Sequence, residues 1–144
     1  MAEPKDGGSA GLGFQGIIEY MGYDFTIVSI RDAAARRYPL KLCELTKADL
    51  ENELPWTHFR EWLLRNGGRI NGGINSVLVE YPNGESINFS GDCDSIYLDT
   101  HARWEHVLAA LRALCRLHEN ARILNWQSGQ FYDQHSFEAF MAGK

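Results

Sequence analysis

The segment covering residues 76–90 constrains this chain more than any other. In Ser76-Val77-Leu78-Val79-Glu80-Tyr81, the side chains of Val77, Val79 and Tyr81 share one face, because neighbouring residues of a strand alternate sides. Pro82-Asn83-Gly84-Glu85 follows, and its Asn-Gly pair supplies the two positive-φ positions of a type I′ turn. Ser86-Ile87-Asn88-Phe89-Ser90 then alternates again, with Ile87 and Phe89 as the buried partners. Period-two patterning on both sides of such a turn predicts a β-hairpin with one face in a core. Residues 95–99 (SIYLD) extend the hairpin into a three-stranded meander.

Helical periods flank this meander. Trp104, Val107, Leu108, Leu111, Leu114 and Cys115 recur at helical spacing, which predicts a long helix over 101–118 with Thr100 as its cap. Pro55 suits the first turn of another helix, in which Trp56, Phe59 and Leu63 share a face with Trp62 beside them. Asn66-Gly67-Gly68 stops that helix with residues that tolerate positive φ. Residues 14–20 and 23–30 read as a pair of strands, and 122–126 as a last strand before an amphipathic helix around 136–141. Short helices are expected over 32–38, with an Asp32–Arg36 pair ended by Pro39, and from a Thr46 cap through Glu53. The strands come in hairpin-sized groups rather than strict βαβ alternation. The expected fold is therefore α+β, a mainly antiparallel sheet with helices packed on one face. Residues 1–13 read as a flexible lead-in, and 14–144 as one domain.

Composition narrows the setting. A 144-residue chain with 44% hydrophobic and 23% charged residues is long enough for a sizeable core and is not biased toward disorder. No apolar run approaches the roughly 20 residues that span a bilayer. Glu3, Lys5 and Asp6 precede no apolar h-region, so no signal peptide and no membrane partner are expected, and the cytoplasm is the default location. Cys43, Cys93 and Cys115 are odd in number and form no CxxC pair, which fits neither a disulfide framework nor a four-cysteine zinc site.

The net charge of −5 is unevenly placed. No Lys or Arg lies between Arg69 and Arg103, whereas that window holds Glu80, Glu85, Asp92, Asp94 and Asp99. Outside it, 14 basic residues face 14 acidic ones. The whole imbalance belongs to the hairpin region, which argues against nucleic acid there and for a partner protein with a basic surface.

Reaction chemistry leaves little trace. HExxH, GxSxG and SxxK are absent. The Gly-rich stretch 66–73 follows a helix and precedes a strand, the reverse of a phosphate loop, and so reads as a connector. Asp92-x-Asp94 begins like a calcium loop but lacks the next Asp and the obligatory Gly. Cys93 lies between two aspartates, whose negative charge makes it a poor nucleophile, and Cys115 falls on the apolar stripe. His58 and Glu61 stand one helical turn apart without a third group. Arg31, Arg36, Arg37 and Lys41 form a basic group without interleaved aromatics. Trp126, Phe131, Tyr132, Phe137 and Phe140 crowd the end of the chain as core residues or interface anchors.

These readings favour a non-enzymatic protein-binding module that needs no catalytic residue, metal or cofactor. Its contact surface is expected at Glu80, Glu85, Asp92, Asp94 and Asp99. In size, acidity and fold class the chain resembles bacterial toxin-neutralising immunity proteins, a likeness of general profile that would imply inhibition of a basic partner. Two alternatives differ in class. One is a small enzyme using His101 with Asp92 or Asp94, with or without a metal ion. The other is an assembly component whose edge strand or C-terminal aromatics build a homo-oligomer.

Overall fold

The computed structural model describes residues 23–143. The strand expected over 14–20 lies outside them. The elements run β1 (Tyr23–Ile30), β2 (Leu40–Lys41), β3 (Leu50–Glu51), α1 (Trp56–Arg65), β4 (Gly68–Ile70), β5 (Ser76–Glu80), β6 (Ser86–Gly91), β7 (Ile96–His101), α2 (Trp104–Leu117), β8 (Ala121–Asn125), β9 (Gln130–Tyr132) and α3 (Gln134–Ala142). The nine strands form one antiparallel sheet in the order β2-β9-β8-β1-β7-β6-β5-β4, with β3 paired to the end of β1 beyond the reach of β7. The α+β fold with a meander sheet is as the sequence predicts.

The expected hairpin is β5–β6, in register Val77 opposite Phe89 and Val79 opposite Ile87. Asn83 (φ 69°) and Gly84 (φ 79°) both adopt the left-handed conformation. Pro82 joins them in a short 3-10 turn, and the loop closes through the Tyr81 amide on the Glu85 carbonyl at 2.8 Å. The connection is thus one residue longer than a two-residue I′ turn. β7 completes the meander against β6, and β1 adds to β7 as the next strand. The strand over 23–30 therefore finds its neighbours in β7 and β8, distant in sequence.

All three helices cover one face of the sheet. Phe25 and Ile27 from β1, Val77, Val79, Ile87, Phe89, Ile96 and Leu98 from the meander, and Ile123 from β8 pack under them. α1 contributes Trp56, Phe59 and Leu63, α2 contributes Val107, Leu111 and Leu114, and α3 contributes Phe137 and Met141. Phe59 stacks on Trp62 and meets Phe89 edge-on, while Phe25 meets Phe137 in the same way at 5.5 Å. Aromatic pairs of this geometry contribute about 0.5–1.5 kcal/mol beyond the area they bury.

Among the described residues, the other face is covered on one half only. There, Val28, Ile30, Leu124 and Phe131 pack with Ala33 and Leu40 from the segment that joins β1 to β3. Arg122 holds this second cluster from the side. Its guanidinium lies 5.1 Å over the Tyr38 ring and donates to the carbonyls of Glu119 and Ala121. This segment is less helical than the sequence suggests. Ala33–Ala35, Leu42–Glu44 and Lys47–Asp49 form single 3-10 turns, and Asp32 sits at φ 55°. Arg36 bonds Asp49 at 3.1 Å instead of Asp32, because apolar burial beneath the segment fixes its path.

Candidate functional site

Over β4 to β7 and the first half of β1, the second face carries no covering layer among the described residues. Alternation places Ser76, Leu78 and Glu80 of β5, Ser86, Asn88 and Ser90 of β6, and Tyr97, Asp99 and His101 of β7 on this side, opposite the buried set. Asp24 and Thr26 continue it on β1, and register aligns them with Asp99 and Tyr97. Small polar groups bond one another across the strands. Asn71 Nδ2 donates to Asn88 Oδ1 and Asn88 Nδ2 to Ser76 Oγ, each at 3.0 Å.

Two aromatic side chains stand on this polar platform. Trp126, 51% exposed, donates from Nε1 to Thr26 Oγ1 at 2.8 Å, which fixes the ring beside β1. Tyr97, 38% exposed, lies directly across from Thr26. Partial burial raises the Tyr97 phenol strongly, and the hydroxyl's bond to Asp24 and the charges of Asp24 and Asp99 push it the same way. The phenol therefore keeps its proton and donates a hydrogen bond to Asp24.

The five acidic residues expected to act together are divided by the fold. Glu80 and Asp99 lie on the uncovered face, where Glu80 pairs with Arg69 at 3.3 Å and Asp99 with His101 at 3.4 Å. Asp92 and Asp94 occupy the β6–β7 turn at the end of that face. Asp92 Oδ1 accepts from the backbone amides of Asp94 and Ser95, which makes it part of the turn. Glu85 is turned to the helical side instead. Its carboxylate accepts from the Arg103 amide at 2.7 Å and from Arg103 Nε at 3.1 Å, just ahead of α2. The Arg103 amide bond, with the nearby charges of Arg103 and His106, holds its pKa below the usual carboxylate range. Asp24, outside the expected set, joins Asp99 on the face. Its position within an apolar run gave no sign of this.

Thr100 does not cap the long helix. α2 begins at Trp104 with Arg103 as N-cap, and Thr100 is the penultimate residue of β7. Beside the same helix start, Tyr81 stacks on His106 with centroids 3.9 Å apart, and burial pushes its phenol up to about 12.

The residues of the enzyme alternative do not converge. Asp92 and Asp94 precede β7 and His101 ends it, and β7 alone is about 16 Å long at the usual rise along a strand. Among the described residues, no three His, Cys, Asp or Glu side chains group as a metal site. His58 and Glu61 are exposed on α1, and Cys115 is largely buried, with its Sγ on the Ala121 carbonyl.

A polar cluster around the buried Ser29 was invisible in the sequence because its members are 22 and 89 residues apart. Ser29 Oγ donates to Glu51 Oε1 at 2.9 Å and lies 2.7 Å from His118 Nε2. The types are those of a hydrolytic triad, but the connections are not. In a triad the acid orients the histidine and the serine is open to substrate. Here Ser29 is 0% exposed and gives its proton to the acid, so Nε2 must donate to Ser29. Asn120 and Arg31 also bind Glu51, at 3.3 and 3.5 Å. The cluster ties β1, β3 and the end of α2 together.

The aromatic end of the chain is mostly core. Phe131, Tyr132 and Phe137 are buried and Phe140 half-buried, which leaves Trp126 as the exposed member of the group. The chain matches no known protein-family model and no curated protein sequence.

Proposed function

We propose that this protein is a non-enzymatic binding module, of inhibitor or immunity type, that docks its uncovered sheet face on a basic surface of a partner protein. The observation that carries this reading is the composition of that face. Asp24, Glu80 and Asp99 stand on it around Tyr97 and Trp126, and β1, β5, β6 and β7 bring no Lys or Arg to it. Arg69 on β4 is already paired with Glu80. Complementary charge accelerates encounter and rejects acidic partners, while exposed aromatics supply the apolar anchors that interfaces concentrate near their centre.

The size of the face sets the extent of contact. Five strands at the normal spacing cover roughly 19 Å by 16 Å. A stable interface removes about 800 Å² per partner, so the contact has to extend onto the rim at Asp92 and Asp94. Covering a basic surface of that size would block whatever polyanion or acidic substrate the partner holds there.

The test is paired retention. The native protein and the triple variant Asp24→Asn/Glu80→Gln/Asp99→Asn are immobilised and exposed to lysate of the source cells. A partner with a basic surface should be retained by the native protein, be released by salt, and associate about tenfold more slowly with the variant. Equal retention by both proteins, or retention insensitive to salt, would exclude this face as the docking surface.

A further inference from the structure

At the β1–β8 corner of the open face, charge and aromatic surface coincide within a few residues. The Trp126 amide reaches the Asp24 carbonyl at 3.4 Å, and its indole Nε1 is held by Thr26 at 2.8 Å. The ring is therefore pinned in place while half its surface stays open. Thr26 pairs with Tyr97 and Asp24 with Asp99, so one short stretch of β1 carries both carboxylates and both rings as neighbours. Among the described residues, Asp24 has no Lys or Arg within ion-pair distance, and its bonded partner is the neutral Tyr97 hydroxyl. Asp99 pairs with His101, and both are about half exposed.

We propose that Trp126, Tyr97, Asp24 and Asp99 form a recognition site for one arginine side chain of the basic partner. The proposal rests on the reading of the open sheet face as the docking surface. A guanidinium is planar and weakly hydrated, so it stacks on an indole or phenol face and still directs its N–H groups to a carboxylate in the ring's plane. A lysine ammonium is compact and strongly hydrated, and it gains less from the rings. Fixing Trp126 through Thr26 removes part of the ordering cost that a free indole would carry into the complex. Asp24 and Asp99, one strand apart, supply acceptors on the same side.

The experiment compares octa-arginine with octa-lysine, which carry equal charge. Binding to the full chain is followed through the Trp126 indole N–H resonance and by calorimetry. The native protein should bind octa-arginine roughly three- to fivefold more tightly, the increment expected of an exposed cation–π contact. Trp126→Ala should remove that preference while leaving octa-lysine affinity within twofold. Asp24→Asn, which keeps the side chain's shape, should weaken octa-arginine more than octa-lysine, whereas Glu80→Gln should weaken both alike. Equal affinities in the native protein, or an equal loss for both peptides in Trp126→Ala, would overturn the arginine site. If both peptides nevertheless bind with salt dependence and lose affinity in Asp24→Asn/Glu80→Gln/Asp99→Asn, the docking face survives that loss. If neither peptide binds, both readings fall.

Discussion

Thr100 has 1% of its surface exposed, and its hydroxyl has no hydrogen-bond partner among the described residues. In the sequence it has the look of a helix cap, since a hydroxyl just ahead of a helical period normally accepts from the first free amides. The structure starts the helix later, at Trp104, and leaves Thr100 in β7 beneath the helices. A buried hydroxyl without a partner costs about 1–3 kcal/mol. Thr100→Val keeps the branched shape and removes the unmet group, so unfolding in urea should shift to higher concentration, by about 1 kcal/mol in stability. A lower midpoint would show that the hydroxyl has a partner in solution. Trp126 and Asp24 teach the same lesson from the other side. Neither residue type nor local pattern separates them from ordinary core and surface positions, because their roles come from Thr26 and Tyr97 across the sheet.

At the scale of elements, long periodic segments were legible and short ones were not. α1 with Trp56, Phe59 and Leu63 buried, the β5–β6 hairpin and α2 with its apolar stripe all follow from patterns that repeat several times within the segment. β2, β3 and β4 are two or three residues long and owe their existence to a longer partner strand. The Gly-rich connector after α1 shows the difference. Gly67 (φ 96°) turns the chain as expected, but Gly68 is needed for closeness. A Cβ there would stand 2.7 Å from both the Leu63 carbonyl oxygen and Val77 Cγ1. Gly68→Ala should therefore destabilise by about 1–3 kcal/mol, the usual range for forced overpacking. Gly73→Ala, where a Cβ meets nothing within 4 Å, should be close to neutral. Equal melting temperatures for the two variants would mean that β4 does not hold this position against α1.

For the molecule as a whole, three carboxylates link stability to pH. The pKa values of Asp49, Glu51 and Glu85 are all lowered, chiefly by the Thr46 amide, the Ser29 hydroxyl and the Arg103 amide respectively. Each group binds its proton less readily in the folded chain than in the unfolded one. Their contribution is complete above the ordinary carboxylate range, near 4–4.5, and is lost as pH falls through the lower folded values. The urea midpoint should stay nearly flat from pH 7 to about 5 and then decline. Glu85→Gln should lower the neutral-pH melting temperature by a few degrees and make the acid decline shallower. A midpoint unchanged between pH 5 and pH 3 would contradict these assignments.

The sequence by itself determined the fold class, the buried face of the hairpin and the location of the excess negative charge. Each of these depends on neighbours within about 15 residues, where alternation, turn chemistry and charge order can be read directly. The tertiary structure decided which acids share a surface. It turned Glu85 inward to a helix start, kept Glu80 and Asp99 on the open face, and added Asp24 and Trp126 to them. Those placements follow from β1 lying between β7 and β8 and from the β1–β3 segment covering only half of the second face. Strand order of that kind is set by how distant apolar faces bury one another, and a local pattern carries no record of it.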